Sequence, residues 1–138
     1  MKRVCLGGLW LFAMIVGLTG VTNTAEADTP PGIEAVMENF SGKKNIHKQL
    51  KTALEGKEDW EAIGKLTSKY AEVGAALNKL GTGKPEKGAQ KDWAKLCKEF
   101  ADLSKDLDAA AKKKDKNGVK GVLEKLTASC ETCHENHR

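Results

Sequence analysis

The chain reads as an all-α protein, an antiparallel four-helix bundle in one domain, and three observations carry that reading. Apolar residues recur at alternating steps of three and four along four segments. No stretch alternates with period two for long enough to make a strand, and β-branched residues are scarce outside the N-terminal run. Short connectors rich in Gly, Pro or charge part the segments, so each helix carries one apolar stripe that only the others can bury.

The N-terminal element reads as an export signal rather than as part of the fold. Lys2 and Arg3 give a positive start, Val4 to Leu18 form an uncharged apolar run, and Ala25-Glu26-Ala27 offers an A-x-A cleavage site before Asp28. Residues 1–27 are therefore expected to be a cleaved signal peptide and 28–138 the folded domain. A membrane anchor is the rival reading, but the apolar run is slightly short of the roughly 20 residues of a spanning helix. The A-x-A site favours cleavage, which leaves no stable anchor and removes Cys5. Export predicts a periplasmic or equivalent compartment, where disulfides persist.

The first helical segment carries Ile33, Val36, Met37 and Phe40, then resumes out of phase at Ile46, Leu50 and Leu54, so a kink or split is expected near Gly42 and an end at Gly56. The second repeats Trp60, Ile63, Thr67, Tyr70, Val73, Leu77 and Leu80, with Asp59 as N-cap and Gly81 just past the end. Gly81 to Gly88 is a loop, because no helix tolerates that density of Gly with Pro85. The third stripe runs Trp93, Cys97, Phe100, Leu103 or Ser104, Leu107 and Ala111. Lys112 to Asn117 reads as a solvated connector, and the fourth segment places Val119, Val122, Leu123, Leu126, Cys130 and Cys133 on one face.

Composition excludes several functions. The 23 basic and 19 acidic residues give a net charge of +4, spread as mixed Lys and Asp/Glu, and aromatic residues do not alternate with basic clusters. That pattern suits a solvated surface with weak steering toward acidic partners and argues against nucleic acid. No acid pair, no nucleophile beside a base and no Gly-rich phosphate loop stands out, so the chain is not expected to be an enzyme.

The chemistry gathers at Cys130-Glu131-Thr132-Cys133-His134, a C-x-x-C-H run that is the attachment signature of a c-type haem. Two thiols add across the two vinyl groups of one porphyrin, and the next residue offers an imidazole to the iron. On a helix the three side chains stand at i, i+3 and i+4, on one face. Cys130 and Cys133 are thus the expected thioethers to a single covalent haem c, and His134 the proximal iron ligand. A redox dithiol would need a βαβ context that is absent. A zinc site drawing on Cys97, Cys130, Cys133 and His134 or His137 is the non-haem alternative, a structural bundle.

With two cysteines on the porphyrin, one thiol of the exported chain is left over. Cys97 sits on the inward stripe of the third segment, and there it is either a small buried hydrophobe or the ligand on the far side of the iron. Ligation accounts for both the odd count and the orientation. His47, between lysines, reads as solvated or capping. His137 reads as a surface or propionate-contacting residue, and Arg138 pairs with a haem propionate or with the C-terminal carboxylate.

Over the whole of residues 28–138 the chain resembles the class II c-type cytochromes, the cytochrome c-prime family. The motif at the end of the last helix, Arg138 four places after His134, Met37 in the first helix, the Gly/Pro loop and Trp93 opening the third helix carry the resemblance. It implies an up-down-up-down bundle with the haem at the C-terminal end of the last helix. It also implies pairing through the first two helices, as a homodimer or as a heterodimer with a similar subunit. Met37 becomes the alternative distal ligand, giving a low-spin Met/His electron carrier of higher potential. A five-coordinate iron that binds small gases is the third option.

His137 replaces an aromatic residue usual in the family, and Cys97 stands where the family does not normally have cysteine. That second departure is similar to the NaxL/NaxS-type haem proteins of anaerobic ammonium-oxidising bacteria, whose iron lies between His and Cys. The resemblance implies a redox-gated site for NO or CO, single-electron transfer with a redox partner protein, or both. If this branch holds, the compartment is the anammoxosome lumen.

Overall fold

The computed structural model describes residues 32–85 and 88–137. The expected signal peptide and Arg138 lie outside the described residues. The described chain is all-helical, in the order α1 (Ile33–Met37), α2 (Ile46–Glu55), α3 (Trp60–Leu80), α4 (Gln90–Lys112) and α5 (Lys116–His137). Among the described residues there is no strand, and no helix is long and apolar enough to cross a membrane.

The split expected near Gly42 is present. Two short 3-10 turns, Glu38–Phe40 and Gly42–Lys44, separate α1 from α2. Gly42 sits at φ +56, in the left-handed region that costs other residues about 1–2 kcal/mol. Asn45 then restarts the helix as N-cap, its side-chain oxygen accepting from the Lys48 amide at 2.9 Å. Asp59 caps α3 as the sequence predicts, accepting from the Glu61 and Ala62 amides at 3.1 and 3.0 Å.

The connector between α4 and α5 is shorter than the sequence suggests. Lys112 ends α4 and Lys116 already belongs to α5, so only Lys113–Asp115 turn. Lys114 takes φ 55 and Asp115 accepts from the Gly118 amide at 2.9 Å, which caps α5 with the acid that charge patterning had assigned to a solvated loop.

Helices α3 and α4 form the main seam and run in opposite directions. Thr67 meets Asp108, Gly74 meets Ala101 and Ser104, and Gly81 meets Cys97. At Gly74 the backbones are so close that a Cβ would lie 2.9 Å from the Ser104 Cβ and 3.1 Å from the Ala101 Cα. Along this seam Ser104, not Leu103, is the buried partner; its hydroxyl donates to the Phe100 carbonyl at 2.8 Å, and Leu103 is half-buried. Asp108 pins the seam by accepting from Thr67 and Ser68, at 3.1 and 3.0 Å, while its other oxygen pairs with Lys112 at 2.7 Å.

Helix α5 turns back along α4, with Trp93 at the start of α4 reaching His137 at the end of α5. Leu50, Ile63, Leu107, Val119 and Leu126 are fully buried in the common core, each contributing about 1.5–3 kcal/mol. The α1–α2 arm packs on α3, and no comparable seam joins it to α5. At the end of the bundle that holds the Cys-x-x-Cys-His run, that missing seam leaves room for a site.

Candidate cofactor site

A cavity of about 840 Å³ occupies that gap, within the range of about 300–1,000 Å³ usual for small-molecule and cofactor sites. One wall is α5, which presents Cys130, Cys133, His134 and His137. The first arm contributes Ile33, Met37, Phe40 and His47 to the lining. The floor is made by α3 and α4 through Leu77, Leu80, Trp93, Leu96 and Phe100, and Lys84 and Pro85 stand at the rim. The helix thus does what the spacing predicts: Cys130, Cys133 and His134 reach one cavity together. Both cysteines are half-buried free thiols packed at the edge of the core, and His134 is exposed.

The loop between α3 and α4 is fastened to the motif end of α5. Gly88 takes φ +85, and a Cβ there would lie 2.5 Å from the His137 ring. That ring meets Trp93 edge-on with centroids 5.3 Å apart, and the Trp93 indole N–H donates to the Leu80 carbonyl at 3.1 Å. His137 is therefore half-buried under the loop instead of standing on the surface.

Burial controls the ionisation of the site. Desolvation pushes the Cys130 thiol up to about 11, helped by the neighbouring Cys133, and raises Cys133 as well. Cys97 is pushed up to about 12, again by burial first and by Cys133 second. All three are neutral thiols near neutral pH in the chain as described, and nearby low-pKa thiolate chemistry is not supported.

Cys97 faces the interior as expected, at 1% exposure, but it is not on the cavity wall. On α4 the cavity is met by Trp93, Leu96 and Phe100. Cys97 stands on the α3-facing edge of that stripe, where a Cβ on Gly81 would lie 2.7 Å from its own Cβ and 3.4 Å from its sulfur. Gly81 has an ordinary helical φ of −59, so glycine is required there for room beside Cys97 and not for a left-handed turn. Met37, the alternative sulfur, does line the cavity. Arg138 lies outside the described residues. Among the described residues no three His, Cys, Asp or Glu side chains gather as a group that could hold a metal ion.

His47 departs from expectation. It is half-buried, lines the cavity, and its Nδ1 lies 2.7 Å from the Tyr70 hydroxyl. Tyr70 is only 1% exposed, against Phe40 at 5.4 Å and Phe100 at 6.5 Å between ring centroids. Sequence reasoning placed Tyr70 in the core and left His47 outside because the two are 23 residues apart. The only available signal was that a buried tyrosine needs a partner for its hydroxyl.

No family model, no curated protein and no solved structure matches the chain.

Proposed function

We propose that the chain is an exported monohaem c-type cytochrome of class II character, which exchanges single electrons and takes up a small diatomic gas such as NO or CO. One observation carries the reading: the two thiols and the imidazole of C-x-x-C-H share a wall of a single apolar cavity of haem-compatible size, about 840 Å³. Cys130 and Cys133 would hold the porphyrin as thioethers and His134 would be the proximal ligand. Bound there, the haem supplies a one-electron iron couple and a metal site for the gas. The chain's own contribution is a mainly apolar lining, to which Ile33, Phe40, Leu77 and Phe100 belong.

Of the two candidate sulfurs Met37 is the one that lines the cavity, which favours it as the residue that would hold the iron with His134, and a neutral thioether there would raise the reduction potential. Cys97 is the second reading. Its thiol is fully buried and its ionisation responds to Cys133, so it belongs to the same neighbourhood as the motif. An anionic sulfur would favour the ferric state and lower the potential. A redox partner protein, a dimer formed through the first arm and α3, and a periplasmic or anammoxosome-lumen setting belong to the same proposal.

The test begins with secretion from a host that matures c-type cytochromes. A mass equal to the bare polypeptide, without a Soret band that survives acid-acetone extraction, refutes the reading. With haem in place, electron paramagnetic resonance of Met37→Leu and Cys97→Ser decides the sulfur. The first reading expects the ferric spectrum to change in Met37→Leu and to persist in Cys97→Ser.

A further inference from the structure

The polar groups of the first-arm wall are almost all spent on their own backbone. The Ser41 hydroxyl donates to the Glu38 carbonyl at 3.3 Å, and Asn45 uses its amide nitrogen on the Phe40 carbonyl and its oxygen as the α2 cap. His47 is different. Its Nδ1 is paired with a buried tyrosine, and its other ring nitrogen has no hydrogen bond among the described residues.

The tautomer follows from that pairing. The Tyr70 ring packs against Phe40 and Phe100, and burial, with a smaller contribution from Cys130, holds its hydroxyl protonated well above the ordinary tyrosine range. Its proton needs an acceptor, because an unmade hydrogen bond at a buried hydroxyl costs about 1–3 kcal/mol. His47 Nδ1 is that acceptor, so Nε2 carries the ring proton. Desolvation, then the nearby Lys51, lower the His47 pKa and keep the ring neutral. The hydroxyl also has no packing role that a phenylalanine could not fill, given Phe40 and Phe100 beside it. What it adds is a fixed orientation for the His47 ring.

We propose that His47, positioned by Tyr70, is the hydrogen-bond donor that the cavity offers to a diatomic ligand, favouring NO or O₂, whose outer oxygen gains negative charge, over CO. The inference deepens the haem reading and rests on it. His47 and His134 line the same cavity from different helices, so the donor shares the space in which a ligand of the iron would sit. Tyr70 acts through His47 and is a positioning residue.

The experiment compares His47→Ala, His47→Gln and Tyr70→Phe in haem-loaded protein, all in a Met37→Leu background so that no thioether competes for the iron. Infrared spectra of the ferrous CO adduct read the donor directly. Loss of the donor raises the C–O stretching frequency in His47→Ala, His47→Gln returns it toward the parent, and Tyr70→Phe falls between. Release of NO or O₂ accelerates about two- to tenfold in His47→Ala while CO release holds, as expected for one neutral hydrogen bond. A single C–O frequency and unchanged release rates across the four proteins overturn the proposal. A chain that never acquires haem overturns the cytochrome reading instead, and its colour tells the two failures apart.

Discussion

Replacing Asp108 by alanine removes the polar pin between α3 and α4, and the structure sets the size of the loss. Oδ1 accepts from Thr67, which is fully buried, at 3.1 Å and from Ser68 at 3.0 Å. A hydrogen bond to a charged group is worth about 1.5–3 kcal/mol when it is protected. Thr67 keeps its bond to the Gly64 carbonyl at 3.1 Å, so truncation does not orphan the hydroxyl. The Lys112 pair adds less than about 1 kcal/mol, because the lysine is 73% exposed. Because the single Thr67 proton is shared between Asp108 and Gly64, the two bonds count as about one, and the loss is about 2–3 kcal/mol, or roughly 10 °C in melting temperature.

The pH dependence has a definite sign. Burial alone would raise the Asp108 pKa, but hydrogen bonds from Lys112, Ser68 and Thr67 outweigh it and hold the carboxyl below its usual range. A depressed folded pKa means the stabilisation is complete above the ordinary carboxylate value of about 4 and is lost as pH falls through the lowered value. Urea denaturation of wild type and Asp108→Ala at neutral pH and near pH 2 should therefore show a large gap that narrows in acid. A penalty below about 1 kcal/mol at neutral pH, or one that does not change with pH, would refute the reasoning.

Other outcomes follow from burial and backbone geometry. In the chain without haem, iodoacetamide at pH 8 should label Cys133 and Cys130 well before Cys97, read by peptide mass, since Cys97 is 1% exposed with its thiol pushed up to about 12. Gly88→Ala forces a Cβ into the His137 ring at a φ of +85, so it should cost about 1–3 kcal/mol and speed amide exchange in the last turn of α5. Leu126→Ala, at a fully buried position, should destabilise by about 3 kcal/mol in denaturant titration without altering which cysteines are labelled.

How much of this was legible beforehand depends on the range of the interactions. The helices were readable from Trp60 to Leu80 and from Trp93 to Ala111 because apolar spacing reports local geometry. The break at Gly42 and the cap at Asp59 are equally local. The shared face of Cys130, Cys133 and His134 also follows from spacing alone. What spacing could not decide is the direction of Cys97 within a stripe wide enough to touch both α3 and the cavity. The close approach of Gly81 to Cys97, 16 residues further along the chain, arises only when α3 and α4 pack together. The His47–Tyr70 bond is longer in range still and leaves no periodic trace.

The two ends of the bundle are stabilised by different means, and the difference bears on what the motif end requires. At one end α4 and α5 are joined by a three-residue turn, Asp115 caps α5, Lys116 pairs with Glu58 at 2.9 Å, and Val119 is fully buried. At the other end the first arm stands off from α5, and closure depends on a glycine-rich loop held by the Trp93–His137 contact and by the Gln90 side chain donating to the Gly83 carbonyl. Apolar wall left in water there forgoes roughly 2.5 kcal/mol for each 100 Å². A ligand that covers Ile33, Phe40, Leu77 and Phe100 recovers that energy, so occupancy and folding of this end are thermodynamically linked. A ligand seated beside Cys130, Cys133 and His134 would extend the core at this end of the bundle.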